Sequence, residues 1–260
     1  MRLAIIPSPY AIDRWNEGGG KGPGALLDAG LDARLRNAGH DVVVNARARG
    51  ADGEKMAVLG LHLRETAGLV ARALSEGRVP LVLGGDCLVA LAVAAGFATP
   101  PAVAYFDAHG DFNDETTTRS GYLPGMPLAA ACGRGLHALA DRVGVRAIPC
   151  DRVALIGVRD LDPEEQRVLD ALPVRRFPRA DAFFPLALPT YVHLDMDALD
   201  PTIAPAVTHP APGGLAIADI VAAARKTQIA AISLTTLVPD RDPDGRTVAA
   251  ALALLDGLLS

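Results

Sequence analysis

Ala102-Val103-Ala104-Tyr105-Phe106-Asp107-Ala108-His109-Gly110-Asp111 sets a short apolar run directly against ionisable residues at every second position. A run of that length, ending in polar residues and glycine, reads as a buried strand whose carboxyl end opens onto a site. Working outward, similar runs occur at residues 3–7, 41–45, 80–83, 153–156, 190–194 and 230–234. Between most of them lie segments with helical spacing, at 24–37, 63–74, 88–95, 163–172, 217–226 and 247–259. Strands alternating with helices predict an α/β protein with a mostly parallel sheet, because parallel neighbours need crossovers and the helices supply them. The expected architecture is three layers, α/β/α. No Pro, Gly or Ser run is long enough to be a linker and no repeat has a fixed period, so residues 1–260 read as one domain.

The composition, 50% hydrophobic and 21% charged, gives a sizeable core and excludes a disordered or collagenous chain. With 25 basic and 30 acidic residues the net charge is −5, and no basic block offers a footprint for nucleic acid or an anionic membrane. No apolar run approaches the ~20 residues that span a bilayer, and the first seven residues read as a strand rather than a secretory signal. A cytoplasmic protein is the expectation. Cys87, Cys132 and Cys150 have no regular spacing, so no disulfide framework is implied.

Three polar clusters stand at strand ends, where ligands bind in open parallel sheets. Gly84-Gly85-Asp86-Cys87 follows one strand; alone it is an ordinary tight turn, with a cysteine that opens an apolar helix. In the second, Asp107, His109 and Asp111 share one side if extended geometry persists. In the third, His193, Asp195 and Asp197 alternate in the same way in Tyr191-Val192-His193-Leu194-Asp195-Met196-Asp197, before Asp200-Pro201. Gathering carboxylates at a buried sheet end costs several kcal/mol per ion unless a cation compensates. Asp107, Asp111, Asp195 and Asp197 suffice to bridge two divalent ions and activate a water between them.

These three motifs, in this order, resemble the signatures of the ureohydrolases, the arginases and agmatinases. The resemblance runs from Gly22-Pro23 to the helix at Thr247. It implies the arginase/deacetylase-like fold, two Mn²⁺ ions per chain, a small amino-acid substrate and a homo-oligomer. It assigns one ion to Cys87, Asp107, Asp111 and Asp195, and the other to His109, Asp197 and the bridging Asp107 and Asp195. The loop from Asp111 to Gly121 resembles the arginase segment that holds the substrate's α-carboxylate, which assigns Asn113, Thr118 and Ser120 to that task. Gly157-Val158-Arg159-Asp160-Leu161-Asp162-Pro163-Glu164-Glu165 resembles the stretch that orients the α-ammonium, pointing to Asp162 and Glu165; Asp162 is equally a helix N-cap ahead of Pro163.

The chain departs from the family pattern at three positions, all at the reactive end. Cys87 stands in place of a metal-binding histidine, Pro124 in place of a proton-shuttling histidine, and Thr236 in place of a glutamate that grips the guanidinium. A thiolate is softer than an imidazole, so Zn²⁺ competes with Mn²⁺ at Cys87. Losing the glutamate favours a less basic terminal group, as in N-hydroxy-arginine. Asp111 or a neighbouring carboxylate then reads as the acceptor of the water's proton and His209 as the donor to the leaving group. His193 reads as a packed core histidine, or as a hydrogen-bond donor behind the metal site. The expected reaction is hydrolysis of the guanidino C–N bond of an arginine-like amino acid, giving ornithine with urea or hydroxyurea. Rival readings are agmatinase, guanidino-acid hydrolase, formiminoglutamase, or a binding protein that has lost catalysis.

Overall fold

The seven predicted apolar runs all form strands: six are buried along most of their length and can satisfy their backbone only by pairing with a neighbour, while the edge run at Asp41–Val44 buries only Val42. The computed structural model describes residues 1–46 and 53–260. Its strands are β1 (Arg2–Ser8), β2 (Tyr10–Ala11), β3 (Arg14–Trp15), β4 (Asp41–Val44), β5 (Val79–Gly84), β6 (Ala102–Phe106), β7 (Val153–Ile156), β8 (Arg175–Phe177), β9 (Pro189–Asp195) and β10 (Gln228–Thr235). The helices are α1 (Gly22–Asp28), α2 (Leu31–Asn37), α3 (Lys55–Ser75), α4 (Val89–Gly96), α5 (Pro127–Ala131), α6 (His137–Val143), α7 (Pro163–Asp170), α8 (Ile217–Ala224) and α9 (Arg246–Leu259). Eight strands make one sheet in the order β4-β1-β5-β10-β9-β6-β7-β8, and every pairing in it is parallel.

The alternation of side chains divides the core between the two faces. Leu81, Leu83, Phe106, Val192, Leu194, Ile232 and Leu234 pack with α1, α2, α8 and α9. Val82, Val103, Tyr105, Tyr191 and Ala231 pack with α3, α4, α5, α6 and α7. This is the three-layer arrangement expected. The helix expected over 24–37 is instead two, because Gly30 takes φ 81° between α1 and α2. The edge strand β8 was not foreseen: Arg175-Arg176-Phe177 is short and charged, the composition that protects a sheet edge from pairing with another chain.

The β2–β3 hairpin also went unread, and it braces the Cys87 turn. The Ile12 amide donates to Asp86 Oδ2 (2.5 Å) and the Leu88 amide to Asp86 Oδ1 (2.9 Å). A Cβ at Gly85 would lie 2.1 Å from the Tyr10 carbonyl oxygen and 2.8 Å from the Gly20 amide nitrogen. The hairpin therefore rests directly on glycine backbone. Gly85→Ala is expected to destabilise the protein by ~1–3 kcal/mol, the usual cost of overpacking, as read from the urea midpoint at unchanged slope.

Candidate active site

Strands β5, β10, β9 and β6 are neighbours in the sheet, and their carboxyl ends deliver the chemistry. Cys87 follows β5, Thr235 closes β10 with Thr236 after it, Asp195 closes β9, and Asp107 follows β6. They open into a cavity of about 650 Å³. Its lining includes Cys87, Asp107, His109, Asp111, Asp195 and Asp197, the residues expected to hold metal. It also includes Asn113, Thr118, Ser120, Asp162, Glu165 and Thr236, expected to bind substrate, together with His209.

Two groups of ligand atoms lie within 4.8 Å of one another: Cys87, Asp107, His193 and Asp195, and separately Asp107, His109 and Asp197. Asp107 belongs to both. Extended geometry does not persist past Phe106, as the sequence reading required; the chain turns, and Asp111 adopts φ 48°. Asp197 likewise reaches the cavity through a helical turn over Met196–Ala198 rather than along the strand. Asp111 stands outside both groups: its Oδ2 accepts from the Tyr105 hydroxyl (2.6 Å).

Backbone amides and hydroxyls fix the remaining carboxylates. Asp107 Oδ1 accepts from the His109 amide (2.7 Å), Asp197 Oδ1 from the Ala108 amide (3.1 Å), and Asp195 Oδ1 from the Asp197 amide (2.8 Å). Thr236 Oγ1 also donates to Asp195 Oδ1, and the Cys87 thiol donates to Asp195 Oδ2 (2.8 Å). Asp107 Oδ2 is buried with no partner. An unpaired buried carboxylate oxygen beside further carboxylates fits a divalent cation, which supplies the charge that the protein lacks there. His109 Nδ1 lies 3.4 Å from Asp107 Oδ1 and 3.3 Å from Asp197 Oδ2, so this imidazole faces the second group.

Electrostatics agree with this reading. Burial, reinforced by the charge of Asp197, holds Asp107 and Asp195 well above the usual carboxylate range, and burial pushes Asp111 up to about 7. Burial also opposes protonation of His109, but Asp107 and Asp197 override it and push the imidazole up to about 12. The Cys87 thiol is raised by burial and by Asp195, Asp111 and Asp107.

Sequence reasoning underrated three residues. His193, expected as a core histidine, is fully buried yet belongs to the Cys87 group. Tyr105 supplies the hydroxyl on Asp111. Arg159 donates to the carbonyls of Asp197 (2.8 Å), Ala211 (3.1 Å), Pro212 (3.0 Å) and Gly157 (3.1 Å), tying the Asp197 turn to the loop that carries His209. An arginine two residues past Gly157 was the available signal. His209 stands at the cavity mouth edge-on to Tyr122, with ring centroids 4.9 Å apart, and to His109 at 6.3 Å. Burial and the charge of His109 lower its pKa.

A parallel sheet whose central strands end in carboxylate, imidazole and thiol groups around a cavity fits a metal-dependent hydrolase. The Arginase family model matches residues 1–260. The arginase of Bacillus caldovelox is 30% identical over 98% of this chain and 97% of its own length, and that of Brevibacillus brevis 31% identical over 83% and 81%. The crystal structure of arginase from Bacillus cereus superposes with a TM-score of 0.90 at 29% identity, covering 100% of this chain and 99% of that one. This chain belongs to the arginase family and is a guanidino hydrolase of the ureohydrolase class.

In the cation-free chain His109, raised from 6.5 to about 12, keeps a proton when folded that it releases when unfolded, so its contribution to stability falls as pH rises above about 6.5, and the raised carboxyls of Asp107 and Asp195 act in the same direction. Cys150, held down to about 7 by its hydrogen bond with Cys132, opposes this, as do His62 and His193, which burial lowers to about 4 and about 3, at the lower end of that range. The chelator-treated protein is expected to melt at a lower temperature at higher pH, and Mn²⁺ is expected to remove most of that difference; a flat chelated profile would contradict the assignment.

Proposed function

We propose that this chain hydrolyses the guanidino C–N bond of an arginine-like amino acid, with N-hydroxy-arginine the preferred substrate and ornithine and hydroxyurea the products. Thr236 is the observation that carries this reading. Of the cavity's seven carboxylates, Asp107, Asp111, Asp195 and Asp197 sit in or beside the ligand groups, while Asp160, Asp162 and Glu165 belong to one short segment. Beside Asp195 the cavity offers the Thr236 hydroxyl and the Cys87 thiol, and no further carboxylate. A guanidinium loses a charge-assisted partner there, worth ~1.5–3 kcal/mol. A hydroxyguanidine is less basic than a guanidine, so a neutral hydroxyl in place of a carboxylate costs it less.

The other end of the cavity suits an amino acid. Thr118 Oγ1 accepts from the Gly121 amide (3.0 Å) and Ser120 Oγ from the Tyr122 amide (3.2 Å), which leaves both hydroxyl protons free for a carboxylate. Asn113 adds its amide. Glu165 holds the loop rather than standing free: its oxygens accept from the amides of Phe112 (2.8 Å) and Asp162 (3.4 Å). Asp162, which lies 3.8 Å from Arg119 Nε and caps the helix at Pro163, is then the carboxylate assigned to the α-ammonium.

Two divalent ions at the paired ligand groups would lower the pKa of a water and polarise the guanidine carbon. Mn²⁺ suits the oxygen and nitrogen donors of Asp107, His109 and Asp197, and the Cys87 thiolate adds a preference for Zn²⁺ on the other side. Asp111, set near neutrality and oriented by Tyr105, accepts a proton at Oδ1 or Oδ2. His209 at the mouth protonates the departing amine. A homo-oligomeric, cytoplasmic enzyme without nucleic-acid or membrane partners completes the proposal; among the described residues no helix is long and apolar enough to cross a membrane.

The test is steady-state turnover on arginine, N-hydroxy-arginine, agmatine and guanidino acids, with Mn²⁺ and Zn²⁺ in parallel. N-hydroxy-arginine is expected to give the largest kcat/KM, and agmatine turned over faster than either amino acid would reject the amino-acid assignment. Thr236→Glu is expected to move the arginine to N-hydroxy-arginine ratio of kcat/KM about tenfold towards arginine, equivalent to ~1.4 kcal/mol.

A further inference from the structure

His193 lies on β9 two residues before Asp195, on the same face of the strand, and its ring is wholly buried. Three contacts fix its plane and direction. The ring stacks on Tyr105 at 3.9 Å between centroids and 7° between planes. Its Nδ1 is bonded to Ser233 Oγ (2.7 Å) and the Tyr191 hydroxyl (3.0 Å). This leaves Nε2 directed at Thr235 Oγ1 (3.4 Å), which is itself 3.6 Å from Cys87 Sγ and 3.3 Å from Asp195 Oδ2. The His193, Cys87, Asp107 and Asp195 ligand atoms lie within 4.8 Å of one another, and Asp107 Oδ2 is buried there with no partner.

Resting on the metal-dependent reading above, we propose that the Cys87-side cation is bound by Cys87 Sγ, His193 Nε2, Asp107 and Asp195, with His193 in the place that Asp111 was expected to fill. Asp111 Oδ2 accepts from the Tyr105 hydroxyl, and Asp111 lies outside the group. A thiolate, an imidazole and two carboxylates form a donor set of one sulfur, one nitrogen and two oxygens, which selects Zn²⁺ or Co²⁺ over Mn²⁺. The other group, with oxygen and nitrogen donors only, keeps no such preference. The two positions of this site therefore differ in metal selectivity. With the ring proton on Nδ1, Nδ1–H donates to Ser233 Oγ or the Tyr191 hydroxyl, which fixes the ring and leaves the unprotonated Nε2 for the ion, the usual arrangement behind a histidine ligand.

The test uses the full chain stripped with chelator and reloaded with one equivalent of Zn²⁺, in a His109→Ala background that removes the imidazole of the other group. X-ray absorption at the zinc edge is expected to show one sulfur at ~2.3 Å and an imidazole nitrogen at ~2.0 Å. Adding His193→Gln is expected to remove the imidazole signature and weaken Zn²⁺ binding about tenfold or more, whereas adding Asp111→Asn leaves both in place. Co²⁺ loading gives a second readout, a thiolate-to-cobalt absorption that Cys87→Ser abolishes. A zinc site with sulfur but no imidazole, or release of zinc by Asp111→Asn, overturns the proposal without reference to any variant at His193, so a misfolded His193→Gln does not shelter it. If the unsubstituted protein still turns over guanidino compounds with bound metal, such a result rejects His193 alone. If that protein binds no metal at all, the dinuclear reading fails with it.

Discussion

The structure turns on the desolvation of carboxylates that have too little positive charge beside them. Asp107, Asp111, Asp195 and Asp197 are all buried, and among the described residues only His109 brings an ionisable cation into direct contact with them. Each such ion costs several kcal/mol if left uncompensated. The protein meets part of that cost with hydrogen bonds from the amides of Ala108, His109 and Asp197 and from the hydroxyls of Tyr105 and Thr236. One oxygen of Asp107, the residue common to both ligand groups, is left unpaired. Cation binding and the integrity of the sheet ends are consequently one energetic problem.

The surrounding architecture keeps that arrangement from relaxing. Carboxylates on mobile loops would turn outward to water; here they sit at the ends of central strands whose registers are fixed on both sides. β9 pairs with β10 and β6 through Leu194 opposite Leu234 and Phe106, so Asp195 cannot shift without unpairing the core. The Asp197 turn is less regular, and Arg159 holds it with its fan of donors to four loop carbonyls. On the Cys87 side the β2–β3 hairpin does the same through Asp86.

Most of the fold and the first rank of site residues were legible because each was announced locally. Buried parallel strands are continuous apolar runs, and charges set against their ends are conspicuous. What the sequence concealed depends on neighbours brought together only by the sheet. His193 belongs to the Cys87 group because the sheet brings it there, with the register placing Tyr105 and Ser233 on either side of it, at positions 88 and 40 residues away along the chain. The hairpin and β8 lie in segments too short and too polar to show a period. The turn after Phe106 was misjudged because alternation in the sequence does not distinguish an extended strand end from a chain that folds back to present the same residues.

The departures at Cys87 and Thr236 are best understood as one change, since both side chains bond to the same carboxylate: Cys87 to Asp195 Oδ2 and Thr236 to Asp195 Oδ1. A thiolate in place of an imidazole makes the ligand group more negative by one charge and lowers the electron demand that a bound cation places on a guanidine. Removing the carboxylate at Thr236 has the opposite electrostatic sign at the neighbouring position. Together they shift negative charge from the substrate's side of Asp195 to the metal's side. A fully charged guanidinium loses by both changes, because its counter-charge is gone and its carbon is less strongly polarised. In the proposed reaction a less basic hydroxyguanidine depends less on a counter-charge, so the altered end and the retained amino-acid end describe a single substrate.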